Sequence, residues 1–127
     1  MLGTVVTEGE LGDATDGPQR GEFCGESIVG GDKADVVLRL NDTRLMLIEC
    51  KASNSAVNSF KRINHEAAGK ARKWLSSFGT AQVVPTAVIS GVFNINNLLR
   101  AQEDGLTLFW AHGLKKLGQF VASVERK

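Results

Sequence analysis

Four apolar residues in unbroken succession, Leu45, Met46, Leu47 and Ile48, run directly into Glu49, Cys50 and Lys51. A strand with one wet face alternates apolar and polar residues, whereas a short continuous apolar run fits a strand covered on both faces. Such a strand delivers its terminal charges to the edge of a core, and this constrains the chain more than any other stretch. Upstream, residues 36–40 form a second aliphatic and β-branched run, and Asn41, Asp42 and Thr43 between the two have turn composition. Residues 35–51 therefore predict an antiparallel hairpin. With the turn centred on Asp42, Leu40 faces Arg44 and Asp35 faces Glu49.

Facing Cβ atoms on paired strands lie roughly 4.5–5.5 Å apart, where two carboxylates repel unless a cation compensates them. Alternation sets Glu49 and Lys51 on one face and Cys50 on the other. The cluster of Asp35, Glu49 and Lys51 is chemically coherent. Two hard oxygen donors suit Mg²⁺ in a shell that keeps waters, and a nearby ammonium orients one water while offsetting phosphate charge. These are the parts needed to hydrolyse a phosphodiester. The plainer alternative is a strand whose charged end is merely solvated, since the pattern itself is short.

The Asp, the intervening strand and the Glu-x-Lys resemble the PD-(D/E)XK nuclease superfamily. The run LIECKASNSAVNSFKRINHEAAGKARKW resembles the catalytic part of XamI-type type II restriction endonucleases, and the resemblance extends over about residues 34–123. Ala34 stands where the superfamily name has Pro. The resemblance implies a Mg²⁺-dependent deoxyribonuclease of a restriction system, with Mn²⁺ as a substitute metal. It implies Asp35 and Glu49 as side-chain metal ligands, Cys50 as a ligand through its carbonyl, and Lys51 positioning the attacking water. Double-stranded DNA is the implied partner, and cutting both strands with one site per chain implies a homodimer. Enzymes of this type carry additional sequence for reading DNA, so a chain of 127 residues is expected to be a fragment or a reduced relative. Two other readings stay open: a catalytically silent DNA-binding or assembly module with the same fold, and a nuclease of that fold acting on branched DNA, nicks or RNA.

With 43% apolar and 23% charged residues, the 127-residue chain suits one domain around one core. A net charge of +1 singles out no partner, but the charge is polarised. Acids dominate the first third, and Lys51, Lys61, Arg62, Lys70, Arg72 and Lys73 then stand against Glu66 alone. Cys24 and Cys50 supply neither a disulfide framework nor a zinc site, and Cys50 is expected in the core. No apolar run reaches membrane-span length and no signal-peptide pattern opens the chain, so a cytoplasmic protein without a membrane partner is expected.

Residues 1–21 are rich in Gly and acids and predict a flexible arm, with a short strand over residues 4–7, ahead of a nuclease-like domain over 22–127. Residues 23–29 predict a short helix or strand, and Gly30 and Gly31 a turn. Residues 52–55 have N-cap character, and one long helix follows to about Phe78, stopped by Gly79. Projected at roughly 100° per residue, Val57, Phe60, Ile63, Ala67, Ala71, Trp74, Leu75 and Phe78 share the core side. The opposite side carries Asn58, Lys61, Arg62, His65, Gly69 and Arg72, either solvated or set against phosphates. Closeness to Lys51 makes Asn54, Asn58, Lys61 and Arg62 the candidate DNA-binding residues.

Residues 83–89 read as a buried strand whose Pro85 implies a bulge or an edge position. Residues 94–102 predict a short helix, 106–110 a strand, and about 113–123 a helix burying Leu114, Leu117, Phe120, Val121 and Val124. Glu26 is expected at the surface and His112 in a capping or packing role. This order predicts an α/β fold with a restriction endonuclease-like mixed sheet, an antiparallel hairpin carrying the site and helices flanking it.

Overall fold

The computed structural model describes residues 9–11 and 18–125. Strands β1 (Gly9–Leu11), β2 (Phe23–Cys24), β3 (Ser27–Val29), β4 (Asp32–Ala34), β5 (Val36–Arg39) and β6 (Leu45–Ser53) come first. A helical stretch follows, made of α1 (Ala56–Ser59), a π-helical segment (Phe60–Ala67) and α2 (Ala68–Phe78). The chain continues with β7 (Val83–Gly91), α3 (Ile95–Glu103), β8 (Thr107–Trp110), a 3₁₀ turn (Ala111–Gly113) and α4 (Leu114–Ser123). The central sheet has the order β2-β5-β6-β7-β8, antiparallel from β2 to β6 and parallel from β6 to β8. Parallel neighbours need crossover connections, and the long helical stretch and α3 supply them. The architecture is the expected α/β mixed sheet with flanking helices.

The hairpin has the register set by a turn at Asp42. Val36 faces Ile48, Leu38 faces Met46, and Leu40 N–H donates to the Arg44 carbonyl at 2.8 Å. Its loop ends on Thr43 at φ 78°, the left-handed last position of a three-residue hairpin loop. At the functional end the ladder changes. Asp35 N–H donates to the Ile48 carbonyl at 2.9 Å while Val36 also faces Ile48, so two residues oppose one. That is the count of a bulge, which re-aims a side chain, and the expected rung between Asp35 and Glu49 does not form.

A smaller sheet, β1-β3-β4, stands beside the main one. Gly30 and Gly31, at φ 58° and 88°, make its tight turn, where both central residues of a primed hairpin turn need positive φ. The Trp74 indole donates to the Val29 carbonyl at 2.8 Å and fastens this sheet to α2. Part of the expected arm is thus built in. Gly9–Leu11 pairs with β3 in parallel, and Pro18 is buried with its carbonyl 2.9 Å from Arg39 Nε. The strand expected over residues 4–7 lies outside the described residues.

Alternation divides β6 between two layers of core. Leu45 and Leu47 pack with Val37, Trp74 and Val83 on the long-helix side. Met46 and Ile48 pack with Leu38, Val84 and, from α4, Leu117 and Phe120 on the other. Both faces are covered, as the unbroken apolar run demands. Alongside, Ile63, Ala67 and Ala71 meet Leu98 of α3 and Ala87 and Ile89 of β7. Among the described residues no helix is long and apolar enough to cross a membrane.

Several details differ from expectation for identifiable reasons. β6 continues through Ala52 and Ser53, because β7 offers partners as far as the rung between Ser53 and Gly91. Val57 and Phe60 are exposed rather than in the core, at 83% and 53%. The π segment, closed by Ala68 N–H donating to the Ile63 carbonyl, widens the turn, so a fixed angular step misplaces its N-terminal residues. Ser59 and Asn64 are buried there instead. Pro85 lies on an inner strand, in register with Leu47, but the first β8 rung is Thr86 with Thr107. Among the described residues β7 therefore has a single neighbouring strand at Pro85. Leu114 begins α4 before the helix reaches the core and is half exposed. Cys50 is exposed rather than core, beyond Ile48, the last β6 residue under the α4 layer.

Candidate active site

β6 carries Glu49 and Lys51 out of the core on the long-helix side. Glu49 is 2% exposed. Its Oε1 accepts from Lys70 Nζ at 2.5 Å, and its Oε2 is buried with no hydrogen-bond donor among the described residues, 3.6 Å from Lys51 Nζ. Lys51 Nζ donates to Glu66 Oε1 at 3.2 Å, and Arg62 Nη1 lies 4.0 Å from that same oxygen. Asp35 does not meet Glu49 across a rung, yet its Oδ2 accepts from Cys50 N–H at 2.8 Å. The bulge thereby ties the Asp35 carboxylate to the peptide immediately after Glu49. Its Oδ1 is 3.6 Å from Lys33 Nζ, which also pairs with Glu26 at 3.3 Å.

Burying a carboxylate is costly unless opposite charge and hydrogen bonds compensate. Lys70 and Lys51 do so for Glu49. Lys33 is held above the ordinary lysine range by its hydrogen bond to Glu26 and the charges of Glu26 and Asp35. Partial desolvation, then the Asp35 and Glu49 charges, push the Cys50 thiol up. For Glu66, partial desolvation works upward but is outweighed by the Lys51 hydrogen bond and the charges of Lys51, Arg62 and Lys61, which hold the carboxyl below its usual range.

At the C-terminal ends of β6 and β7, Ala52, Ser53, Asn54, Asn58, Arg62, Ser90 and Gly91 line a cleft of about 330 Å³. Ser55 caps α1, its side chain accepting from Asn58 N–H at 3.2 Å, and the Asn58 amide donates to Asn54 Oδ1 at 2.7 Å. Gly91 is required by shape. A Cβ there would sit 2.0 Å from the Ser53 carbonyl oxygen. Three of the four candidate DNA-binding residues, Asn54, Asn58 and Arg62, thus come together, while Lys61 is exposed outside the cleft.

Two members of the site, Glu66 and Lys70, escaped sequence reasoning. Their signal was the spacing of Arg62, Glu66 and Lys70 at intervals of four, which aligns side chains in one helical stripe. That stripe faces the strand end that carries Glu49 and Lys51. Glu26, by contrast, is 63% exposed and, among the described residues, pairs with Lys33.

A mixed sheet whose central strand ends in a buried Glu and a Lys, with an Asp supplied from the adjoining hairpin strand, defines an α/β fold consistent with the restriction endonuclease-like class. The model of the XamI restriction endonuclease family matches residues 5–110, most of the chain. The chain belongs to that family. It is 63% identical over 70 residues to the type II restriction enzyme XamI of Xanthomonas campestris pv. amaranthicola, a stretch that makes up 55% of this chain and 26% of that enzyme. The chain thus spans about a quarter of the length of the relative it matches. No solved structure gives a significant match.

Proposed function

We propose that this chain is the catalytic part of a type II restriction endonuclease, hydrolysing phosphodiester bonds of double-stranded DNA with Mg²⁺, for which Mn²⁺ substitutes. The observation that carries this reading is Glu49 Oε2, a buried carboxylate oxygen with no hydrogen-bond donor among the described residues, beside the hairpin that brings Asp35. Lys51 Nζ, 3.6 Å away, offsets its charge without donating a hydrogen bond to it, which leaves a coordination position that a hard divalent cation would satisfy. The residues fit such an ion. Asp35 and Glu49 would hold it through their carboxylates and Cys50 through its carbonyl. Among the described residues no group of three or more His, Cys, Asp or Glu side chains gathers as a metal site, so waters would have to complete the shell of such an ion.

When bound, such an ion would supply charge neutralisation and make a water more acidic. Lys51, 3.6 Å from Glu49, would orient the attacking water and meet the negative charge that develops on the phosphate. Glu66 keeps Lys51 at this post through its hydrogen bond. Asn54, Asn58 and Arg62 contact phosphates along the cleft, and Lys61 extends the contact outside it. A homodimer in the cytoplasm, as part of a restriction system, would place one such site on each strand.

The test is incubation of the purified chain with plasmid and Mg²⁺, parent beside Lys51→Ala, with thermal melts to show that both are folded. Discrete fragments from the parent, lost in Lys51→Ala while DNA affinity stays within a few-fold, are expected, because a group acting on the transition state affects turnover more than binding. Smearing would indicate a non-specific nuclease of the same fold. Intact plasmid with duplex binding retained would indicate a silent binding module. Calorimetric titration with Mn²⁺ should show binding that Asp35→Ala removes.

A further inference from the structure

Both carboxylates of the proposed metal site are paired with ammonium groups from outside the Asp and Glu-x-Lys motif. Lys70 lies 2.5 Å from Glu49 Oε1 and Lys33 3.6 Å from Asp35 Oδ1. The two lysines are linked, since Lys70 Nζ also donates to the Lys33 carbonyl at 2.8 Å. Together they bring the charge of one divalent cation to the two groups that would bind one. Lys51 is committed differently, for its hydrogen bond goes to Glu66.

We propose that Lys70, assisted by Lys33, is an internal counter-cation that holds the two carboxylates in the metal-free protein and leaves Glu49 when a divalent cation enters. This rests on the metal-site reading above and adds a competitor to it. Glu49 is almost wholly buried, and a buried carboxylate without a neutralising partner is costly. A lysine suits a pairing that must be temporary. Its charge sits on a flexible stem and is easily rehydrated, and the Lys70 side chain is already 23% exposed. Its departure also removes the hydrogen bond to Lys33, so metal entry loosens β4 from the long helix. A permanent structural pair would behave otherwise, because the cation would then be accommodated by Oε2 without displacing anything.

The experiment titrates Mn²⁺ by calorimetry into the parent, Lys70→Met, Lys33→Ala and Lys70→Met/Glu49→Gln, with melting temperatures measured in EDTA and in saturating Mn²⁺. Removing the competitor is expected to tighten Mn²⁺ binding by about tenfold in Lys70→Met, equivalent to about 1.4 kcal/mol, and by less in Lys33→Ala. In EDTA, Lys70→Met should melt below the parent, and Mn²⁺ should close the gap. If Lys70→Met does not fold without metal, Lys70→Gln, which keeps a donor but no charge, takes its place. Affinity equal to or weaker than the parent's in a folded Lys70 variant overturns the counter-cation role alone. Binding that survives in Lys70→Met/Glu49→Gln, or no binding by the parent or any variant, overturns the metal-site reading and this inference with it.

Discussion

Replacing Gly91 by alanine tests whether the ends of β6 and β7 are as tightly joined as the geometry requires. Gly91 has φ 96°, and an added Cβ would lie 2.0 Å from the Ser53 carbonyl oxygen. The backbone conformation alone costs an L-residue roughly 1–2 kcal/mol. The clash is worse, because carbon and oxygen normally approach no closer than about 3.3 Å, so the strands must part by more than about an ångström. That separation breaks the hydrogen bond from Val92 N–H to the Ser53 carbonyl, now 2.8 Å long, at a further net cost of about 0.5–1.5 kcal/mol. A total of roughly 1.5–3.5 kcal/mol corresponds, for a chain of this length, to a fall in melting temperature of about 6–13 °C. Gly118 provides the opposite case. It lies inside α4 with nothing within 4 Å of an added Cβ. There the same substitution relieves a glycine in a helix and should raise the melting temperature by roughly 2–4 °C. Thermal melts by circular dichroism of the parent and both variants decide the matter. Gly91→Ala within about 2 °C of the parent would refute the reasoning, since that is under 1 kcal/mol for this chain.

Thr43, a β-branched residue at φ 78°, should be replaceable by glycine with a gain of about 1 kcal/mol, read as a higher melting temperature; a lower one would show that the threonine side chain holds the hairpin loop. Glu66 titrates below its ordinary 4.5 because Lys51 stabilises its charge, so its contribution to stability is fully present above that value and is lost as pH falls through the lower folded one. The melting difference between the parent and Glu66→Gln should accordingly be largest near neutrality and vanish in acid; a difference independent of pH would show that charge is not its source. With Ca²⁺ in place of Mg²⁺ to suppress cutting, Lys61→Ala/Arg62→Ala should lower the salt dependence of duplex binding, by roughly 0.9 in log-log slope for each phosphate no longer neutralised. Lys73→Ala, whose ammonium already sits 3.5 Å from Asp32, should change it less; equal changes per charge would make the long helix a solvated surface only.

How much of this was legible depended on whether a feature is local. The hairpin register follows from two apolar runs and three turn residues, and it is the register observed from Leu40 and Arg44 to Val36 and Ile48. Gly79 ends the long helix and Asn94 begins α3 where their residue types direct. The bulge at Asp35 was not legible, because nothing in the residues around it marks an extra position; it is set by how the chain passes from β4 to β5. The exposure of Cys50 depends on where α4, far along the sequence, stops covering the sheet. Lys70 and Glu66 were visible as charges, but their meeting with Glu49 and Lys51 depends on the long helix crossing that particular strand end.

The π-helical segment is where local sequence rules and the observed structure conflict most, and the conflict falls beside the candidate site. An α-helical step would bury Phe60 and expose Ser59; instead Phe60 is half exposed and Ser59 fully buried. Turning a phenylalanine outward and a serine inward opposes the hydrophobic effect, so other interactions must favour the wider turn. Ser59 Oγ accepts from Asn94 N–H at 3.2 Å and from the Asn97 amide at 2.9 Å, while the Asn64 amide donates to the Asn97 carbonyl at 2.9 Å. These bonds clamp the end of α1 and the π segment that follows it to the start of α3, just past the loop that leaves Gly91 and the cleft. The clamped segment carries Arg62 and Glu66, and it leads into α2, which carries Lys70. Violations of local preference concentrate where function constrains geometry, and here the inward polar residues fix the helix while its outward charges reach Lys51 and Glu49.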